Sequence, residues 1–160
     1  MIIYTDGSAK PNPGPGGFGV VVLDDNENLI STYSKHFDYP VTNNLMEIKA
    51  ILYAFLTYGK KINDEFDQDI PIVYSDSNYC VQMFNDWMFN WARNNWKKSD
   101  KKTPENLEWI QIYYDWYQKG HRIDLRKVKG HAGDKWNEMA DALASGEMDP
   151  TVNSNWYDGV

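Results

Sequence analysis

A mixed α/β domain built on one central sheet is the fold class this sequence predicts, and three observations carry the prediction. Ile2-Ile3-Tyr4-Thr5-Asp6 and Ile72-Val73-Tyr74-Ser75-Asp76 are near copies, each an apolar, β-branched run that stops on an aspartate. That is the pattern of two neighbouring parallel strands. Two further β-rich runs follow the first copy with turn residues between them, which describes a meander. Stretches with apolar residues at helical spacing separate the remaining strands. The resulting order is β-β-β-α-β-α-α-β-α, a five-stranded mixed sheet (a three-stranded meander plus two parallel strands) flanked by helices.

Residues 1–6 read as the first strand, and the Pro-Asn-Pro-Gly-Pro-Gly-Gly run within Lys10 to Gly17 reads as a loop. Phe18 to Leu23 is the second strand, Asp24 to Asn28 a turn, and Leu29 to Phe37 the third, ended by Tyr39-Pro40. Asn43 or Asn44 offers an N-cap. Ile48, Ile51, Leu52, Phe55 and Leu56 then trace a helix that Gly59 stops. Pro71 opens the fourth strand, which runs through Asp76. Asn78 to Asn94 reads as helix with one break. Thr103-Pro104-Glu105 starts an amphipathic helix carrying Leu107, Ile110, Tyr114 and Tyr117, which stops near Gly120. Ile123 to Val128 is the fifth strand and Gly130 to Gly133 a loop. Asp134 to Ser145 is the last helix, with Trp136, Met139, Ala140 and Leu143 on one face. The expected organisation is one domain over residues 1–146 and an irregular acidic tail over 147–160.

At 160 residues, 42% hydrophobic and 15% aromatic, the chain suits a single packed domain rather than a disordered segment. Its one cysteine, Cys80, excludes an intramolecular disulfide and fits a reducing compartment. No apolar run is long enough for a membrane span and no export signal pattern opens the chain. A soluble, cytoplasmic, monomeric protein is expected. The net charge of −7 opposes nucleic-acid binding, yet Ala92 to Lys102 holds five cations (Arg93, Lys97, Lys98, Lys101, Lys102) against one anion, Asp100. An acidic body with one basic tract still binds a polyanion locally.

If the two strand copies are neighbours, Asp6 and Asp76 stand side by side at one sheet edge. Like charges that close are unfavourable without a cation between them, and a divalent metal is the common solution. Glu47, in the first turn of the first helix, and Asp141, mid-way along the last, bring the carboxylates to four. Such a set suits a pair of Mg²⁺ ions, which take oxygen ligands and complete their shells with water and phosphate oxygens. Two ions about 4 Å apart support in-line phosphodiester displacement. Taken singly, a strand-end Asp is a common turn former and an early helical Glu complements the helix dipole. The three histidines and one cysteine are too scattered for a zinc site.

The chain resembles a type 1 ribonuclease H from about Ile2 to Ser145. The resemblance rests on Tyr4-Thr5-Asp6-Gly7-Ser8, Asn12-Pro13-Gly14-Pro15-Gly16-Gly17-Phe18-Gly19, Thr42-Asn43-Asn44 with Met46-Glu47, and Ser75-Asp76-Ser77. It continues through Val128-Lys129-Gly130-His131-Ala132-Gly133 and Asn137-Glu138 through Ala140-Asp141 and Ala144, all in order. It implies a ribonuclease H-like fold and a metal-dependent endonuclease that cuts the RNA strand of an RNA–DNA hybrid. The implied cofactor is Mg²⁺, two per site, with Mn²⁺ as a substitute. The implied products carry 5′-phosphate and 3′-hydroxyl ends. Asp6, Glu47, Asp76 and Asp141 become the metal-binding, catalytic carboxylates, and His131 assists proton transfer or product departure. The length and the start at the first strand suggest a free-standing catalytic domain.

RNA selectivity needs groups that sense 2′-hydroxyls, and Asn12, Asn43, Asn44 and Asn78 lie close to the carboxylates in sequence. By resemblance, Thr42 grips a phosphate of the DNA strand. The tract Asp86 to Lys102 resembles the family's basic protrusion, in which Arg93, Lys97 and Lys98 face the DNA strand and Trp87 contacts a deoxyribose. Trp91 and Trp96 are expected in the core, as is Cys80. Ala92, Asn94 and Asn95 dilute the charge of this element, which suggests weak, salt-sensitive substrate binding. Three rivals stand beside this reading: a non-catalytic hybrid-binding module, a DNA-acting nuclease of the same fold, and a protein-interaction domain.

Overall fold

The meander is longer than its sequence pattern indicates. The computed structural model describes residues 1–62, 69–128, 134–151 and 159–160. Within it β1 spans Ile2–Ala9, β2 Gly14–Leu23 and β3 Leu29–Val41. β1 pairs with β2 from Ile2 opposite Leu23 to Ala9 opposite Gly16. The Pro-Gly run therefore supplies a short connection and then the start of β2, not a loop to Gly17. Pro15 is tolerated because the β2–β3 ladder shifts register between Gly14 and Gly16. Pro40 does not end β3, because β3 lies at the sheet edge, where a missing N–H leaves no ladder partner unmet.

The sheet order is β3-β2-β1-β5-β7, with β5 at Ile72–Ser75 and β7 at Asp124–Lys127. β1, β5 and β7 are parallel, and the strand copies pair residue for residue from Ile2 beside Ile72 to Thr5 beside Ser75. β4 (Lys60–Lys61) and β6 (His121–Arg122) add a two-residue antiparallel ladder too short to leave a periodic trace.

Helix α1 spans Asn43–Tyr58, and its N-cap is Thr42, whose hydroxyl accepts from Leu45 N at 3.1 Å. This corrects the assignment of that cap to Asn43 or Asn44. Glu47 consequently falls in the second turn, and no acidic residue occupies the first. α2 (Asn78–Gln82), a π-helical turn (Met83–Trp87) and α3 (Met88–Arg93) run on continuously, so the expected break is a widened turn. That turn directs Met83, Phe84 and Met88 together into the core, while Asn85 Nδ2 donates to Leu125 O at 2.9 Å. α4 starts at Leu107 rather than at Thr103-Pro104-Glu105, because Asn106 adopts a left-handed backbone with φ of 60° and breaks the helical run. α5 spans Lys135–Ser145, capped by Asp134. The loop expected at Gly130–Gly133 lies outside the described residues.

Two apolar layers sandwich the sheet, and the period-2 pattern of its strands feeds both. Ile3, Phe18, Val20, Val22, Val73 and Leu125 pack with α1 and the later helices. Tyr4, Val21 and Leu23 pack with Ala140 and Leu143 of α5. Two glycines set how near these helices approach. A Cβ on Gly7 would sit 2.3 Å from Glu47 N and Met46 C; one on Gly19 would sit 2.5 Å from Ala140 O. Since Gly19 lies opposite Asp6, both helices are drawn against the sheet at the same point. Beyond α5, Thr151 N donates to Thr32 Oγ1 at 2.7 Å and Val160 is buried in the α1-side core.

Candidate active site

Past Thr5 and Ser75 the parallel ladder of β1 and β5 ends while β1 continues. The notch this leaves is where Asp6 and Asp76 sit, and α1, brought close by Gly7, lowers Glu47 into it. Oxygens of Asp6, Glu47 and Asp76 lie within 4.8 Å of one another. Asp6 is 5% exposed, Glu47 is half-buried as a residue, and Asp76 faces solvent. Asp6 Oδ1 accepts from Gly7 N at 2.9 Å, which fixes one oxygen of the cluster.

The cluster is electrostatically unfavourable as it stands. Burial first, and then the Asp76 and Asp141 carboxylates, push Asp6 up to about 7, against a hydrogen bond with Glu47 that lowers it. Burial followed by the charges of Asp6 and Asp76 pushes Glu47 well above the usual carboxylate range. Glu47 Oε2 is buried with no hydrogen-bond partner, an orphaned acceptor aimed into a group of acceptors. A divalent cation satisfies all of these conditions at once. The all-oxygen donor set fits a hard ion such as Mg²⁺ or Mn²⁺ rather than zinc. Asp141, exposed on α5, stands beside Asp6 and acts on it, but it lies outside the tightest group of three. His131 is outside the described residues.

Asn43 and Asn44 begin the helix that carries Glu47, Asn78 begins the helix that follows Asp76, and Asn12 bonds to Asn43. Asn43 Oδ1 accepts from Ala9 N, tying α1 to the end of β1. Asn12 Oδ1 accepts from Asn43 N at 3.1 Å. Asn44 Oδ1 lies 3.6 Å from the Cys80 thiol, and Asn78 Oδ1 accepts from Gln82 Nε2 at 3.2 Å. Thr42, beside them, caps α1 with its hydroxyl oxygen, and its O–H makes no hydrogen bond among the described residues.

The protrusion is separated from the carboxylates by α2. Trp87 is half-buried, with Trp91 at 6.4 Å between ring centroids and Tyr79 edge-on at 5.4 Å. Trp91 belongs to the core and Trp96 packs against it, edge-on to Tyr114, as expected. Tyr79, 38% exposed, is a platform partner that sequence reasoning missed. Only the π turn brings a residue eight positions away onto its face. Among the cations, Arg93 bonds Asn90. Lys97 donates to Thr103 Oγ1 at 2.7 Å, and Lys98 lies 3.9 Å from Asp100.

A sheet of this order, with carboxylates converging where its central parallel strands end, defines the ribonuclease H-like class of α/β protein. The model of the RNase H family matches residues 1–149, and the chain belongs to that family. It is 38% identical over 157 residues to the ribonuclease HI of Haemophilus influenzae, covering 97% of this chain and 94% of that protein. It is 35% identical over 157 residues to the ribonuclease H of Caldanaerobacter subterraneus subsp. tengcongensis, covering 96% and 94%. Among solved structures, LC11-RNase H1 in complex with an RNA/DNA hybrid superposes with a TM-score of 0.59 at 27% identity, covering 89% of this chain and 92% of that one. These relatives are endonucleases by family, and the chain is placed with them as a ribonuclease H.

Proposed function

We propose that this protein hydrolyses the RNA strand of RNA–DNA hybrids endonucleolytically, leaving 5′-phosphate and 3′-hydroxyl ends. The convergence of Asp6, Glu47 and Asp76 within 4.8 Å is the observation that carries the reading. Asp6, Glu47, Asp76 and Asp141 would hold two Mg²⁺ ions, with Mn²⁺ as a substitute. When bound, such ions supply Lewis acidity for the attacking water and neutralise the charge that builds on the phosphate and leaving oxygens.

The remaining work falls to the chain's own groups. Burial and mutual repulsion make Asp6 and Glu47 hold protons more tightly than free carboxylates do, so cation binding and proton release are linked. Thr42 offers its O–H to a phosphate of the DNA strand. Asn12, Asn43, Asn44 and Asn78 address the RNA strand, whose 2′-hydroxyls lie in a wide minor groove. Trp87, backed by Tyr79, offers an aromatic face to a deoxyribose, and Arg93, Lys97 and Lys98 supply charge to the DNA backbone. His131 serves proton transfer or product release, as its motif implies. All the carboxylates come from one chain, which supports action as a monomer. Among the described residues no helix is long and apolar enough to cross a membrane, in keeping with a cytoplasmic site of action.

The test is product chemistry. A hybrid labelled in its RNA strand and incubated with Mg²⁺ yields fragments that a polymerase extends and a ligase joins without prior phosphatase or kinase treatment. Fragments carrying 3′-phosphate or cyclic phosphate ends would overturn the proposed hydrolysis.

A further inference from the structure

Each of the four asparagines spends its amide oxygen inside the protein. Asn43 and Asn12 accept from backbone N–H groups, of Ala9 and Asn43 respectively. A backbone N–H only donates, so neither amide can turn round and keep its bond. Asn78 accepts from Gln82, and Asn44 from Cys80. Their NH₂ groups make no hydrogen bond among the described residues. Asn12 and Asn43 therefore present donors, and Asn44 does so while its oxygen takes the Cys80 S–H.

Cys80 is the unexpected member of this arrangement. It is fully buried in the main core cluster, four residues after Asp76, on a helix whose cap Ser77 accepts from Cys80 N at 3.2 Å. An aliphatic side chain would fill that space, but the thiol adds a donor at 3.6 Å from Asn44 Oδ1. That contact bridges α2, which follows Asp76, to the first turn of α1, three residues before Glu47. Asn44 itself is half-buried, and its amide oxygen lies against the buried Cys80 thiol.

We infer that Cys80 is a positioning residue for RNA recognition, its S–H holding the Asn44 amide with oxygen inward and NH₂ toward the substrate, so that a ribose 2′-oxygen is read as a hydrogen-bond acceptor. This rests on the hybrid-cleaving activity proposed above. Without the thiol the Asn44 oxygen loses this inward partner, and an amide that is not held in place must be ordered before it can bond the 2′-hydroxyl.

The experiment compares wild type with Cys80→Val, which fills the volume without a donor, and Cys80→Ser, which keeps one. The readout is a selectivity ratio: kcat/KM on an all-ribose RNA strand divided by kcat/KM on the same strand with one 2′-deoxy nucleotide beside the scissile bond. Cys80→Val lowers this ratio about 3- to 10-fold, the scale of one modest hydrogen bond, while Cys80→Ser stays near wild type. In an Asn44→Ala background, Cys80→Val leaves the ratio unmoved. A Cys80→Val enzyme with the wild-type ratio, or a Cys80→Ser enzyme that loses the ratio equally, overturns the inference and leaves Cys80 as core packing alone. Wild-type protein that cuts no hybrid overturns the functional reading itself, a distinct result.

Discussion

Thr5 pairs with Ser75 across the two central parallel strands, and one residue later both strands carry an aspartate, Asp6 and Asp76. The registered pairing of near-identical sequences places two carboxylates on one edge. Glu47 joins them as a third carboxylate, bonded to Asp6 but itself pushed upward by both aspartates. Such a site is a cost to the fold that protonation, loss of a carboxylate or a bound cation would relieve.

Asp6→Asn separates catalysis from stability. It removes a ligand and a buried charge together. Hydrolysis falls by at least about 10³-fold, while the metal-free protein at pH 7 gains roughly 1–3 kcal/mol. Single-turnover cleavage and urea unfolding check the two halves. A variant that cuts at near wild-type rate contradicts the site assignment.

Stability without metal depends on pH with a definite sign. Asp6 binds its proton more tightly folded than unfolded, with its value raised from 3.8 to about 7, and Glu47 shifts the same way. The contribution of Asp6 is complete below 3.8 and disappears as pH rises through about 7, and that of Glu47 is lost with rising pH in the same sense. In EDTA the protein therefore weakens between pH 4 and 7. Asp24, lowered by its bonds from Asn28, acts oppositely but only in the more acid range. Adding Mg²⁺ raises the melting temperature more at pH 8 than at pH 5, and melts across that range with and without Mg²⁺ show it.

Gly7→Ala has a specific casualty. The new Cβ overlaps the backbone of Met46 and Glu47, so α1 must lift from β1. We expect a loss of about 3 kcal/mol and weaker Mg²⁺ binding, since Glu47 moves with the helix. Calorimetric titration of the folded variant with Mg²⁺ separates the second effect from the first; unchanged affinity would show that Gly7 serves packing alone.

Trp87→Ala acts on binding. The ring rests on Tyr79 and Trp91 at the surface, away from the carboxylates. KM for hybrid rises roughly 5- to 20-fold with kcat nearly kept. A fall in kcat at unchanged KM would assign Trp87 to the chemistry.

The parts of this protein legible in its sequence are those where pattern and chemistry agree. The strand copies announced both the parallel pair and the two aspartates, and the α1 and α5 stripes were clear from apolar spacing. What was not legible depended on context. Pro40 is harmless because β3 is an edge, and Asn106 breaks a helix by a left-handed backbone that the amphipathic pattern of α4 conceals. Thr42 takes the cap because Asn43 is drawn to Ala9 across the sheet. The Cys80–Asn44 contact joins residues 36 positions apart, beyond any local signal.

The most direct test of the account is one end-labelled 20-mer presented as RNA–DNA hybrid, duplex RNA, duplex DNA and single strands, each at low salt with Mg²⁺ or EDTA, and with Asp6→Asn as control. Cutting is expected on the hybrid's RNA strand alone, and is lost both in EDTA and in the variant. Binding of the hybrid without cutting in either Mg²⁺ or Mn²⁺, or cutting of duplex DNA, would contradict it.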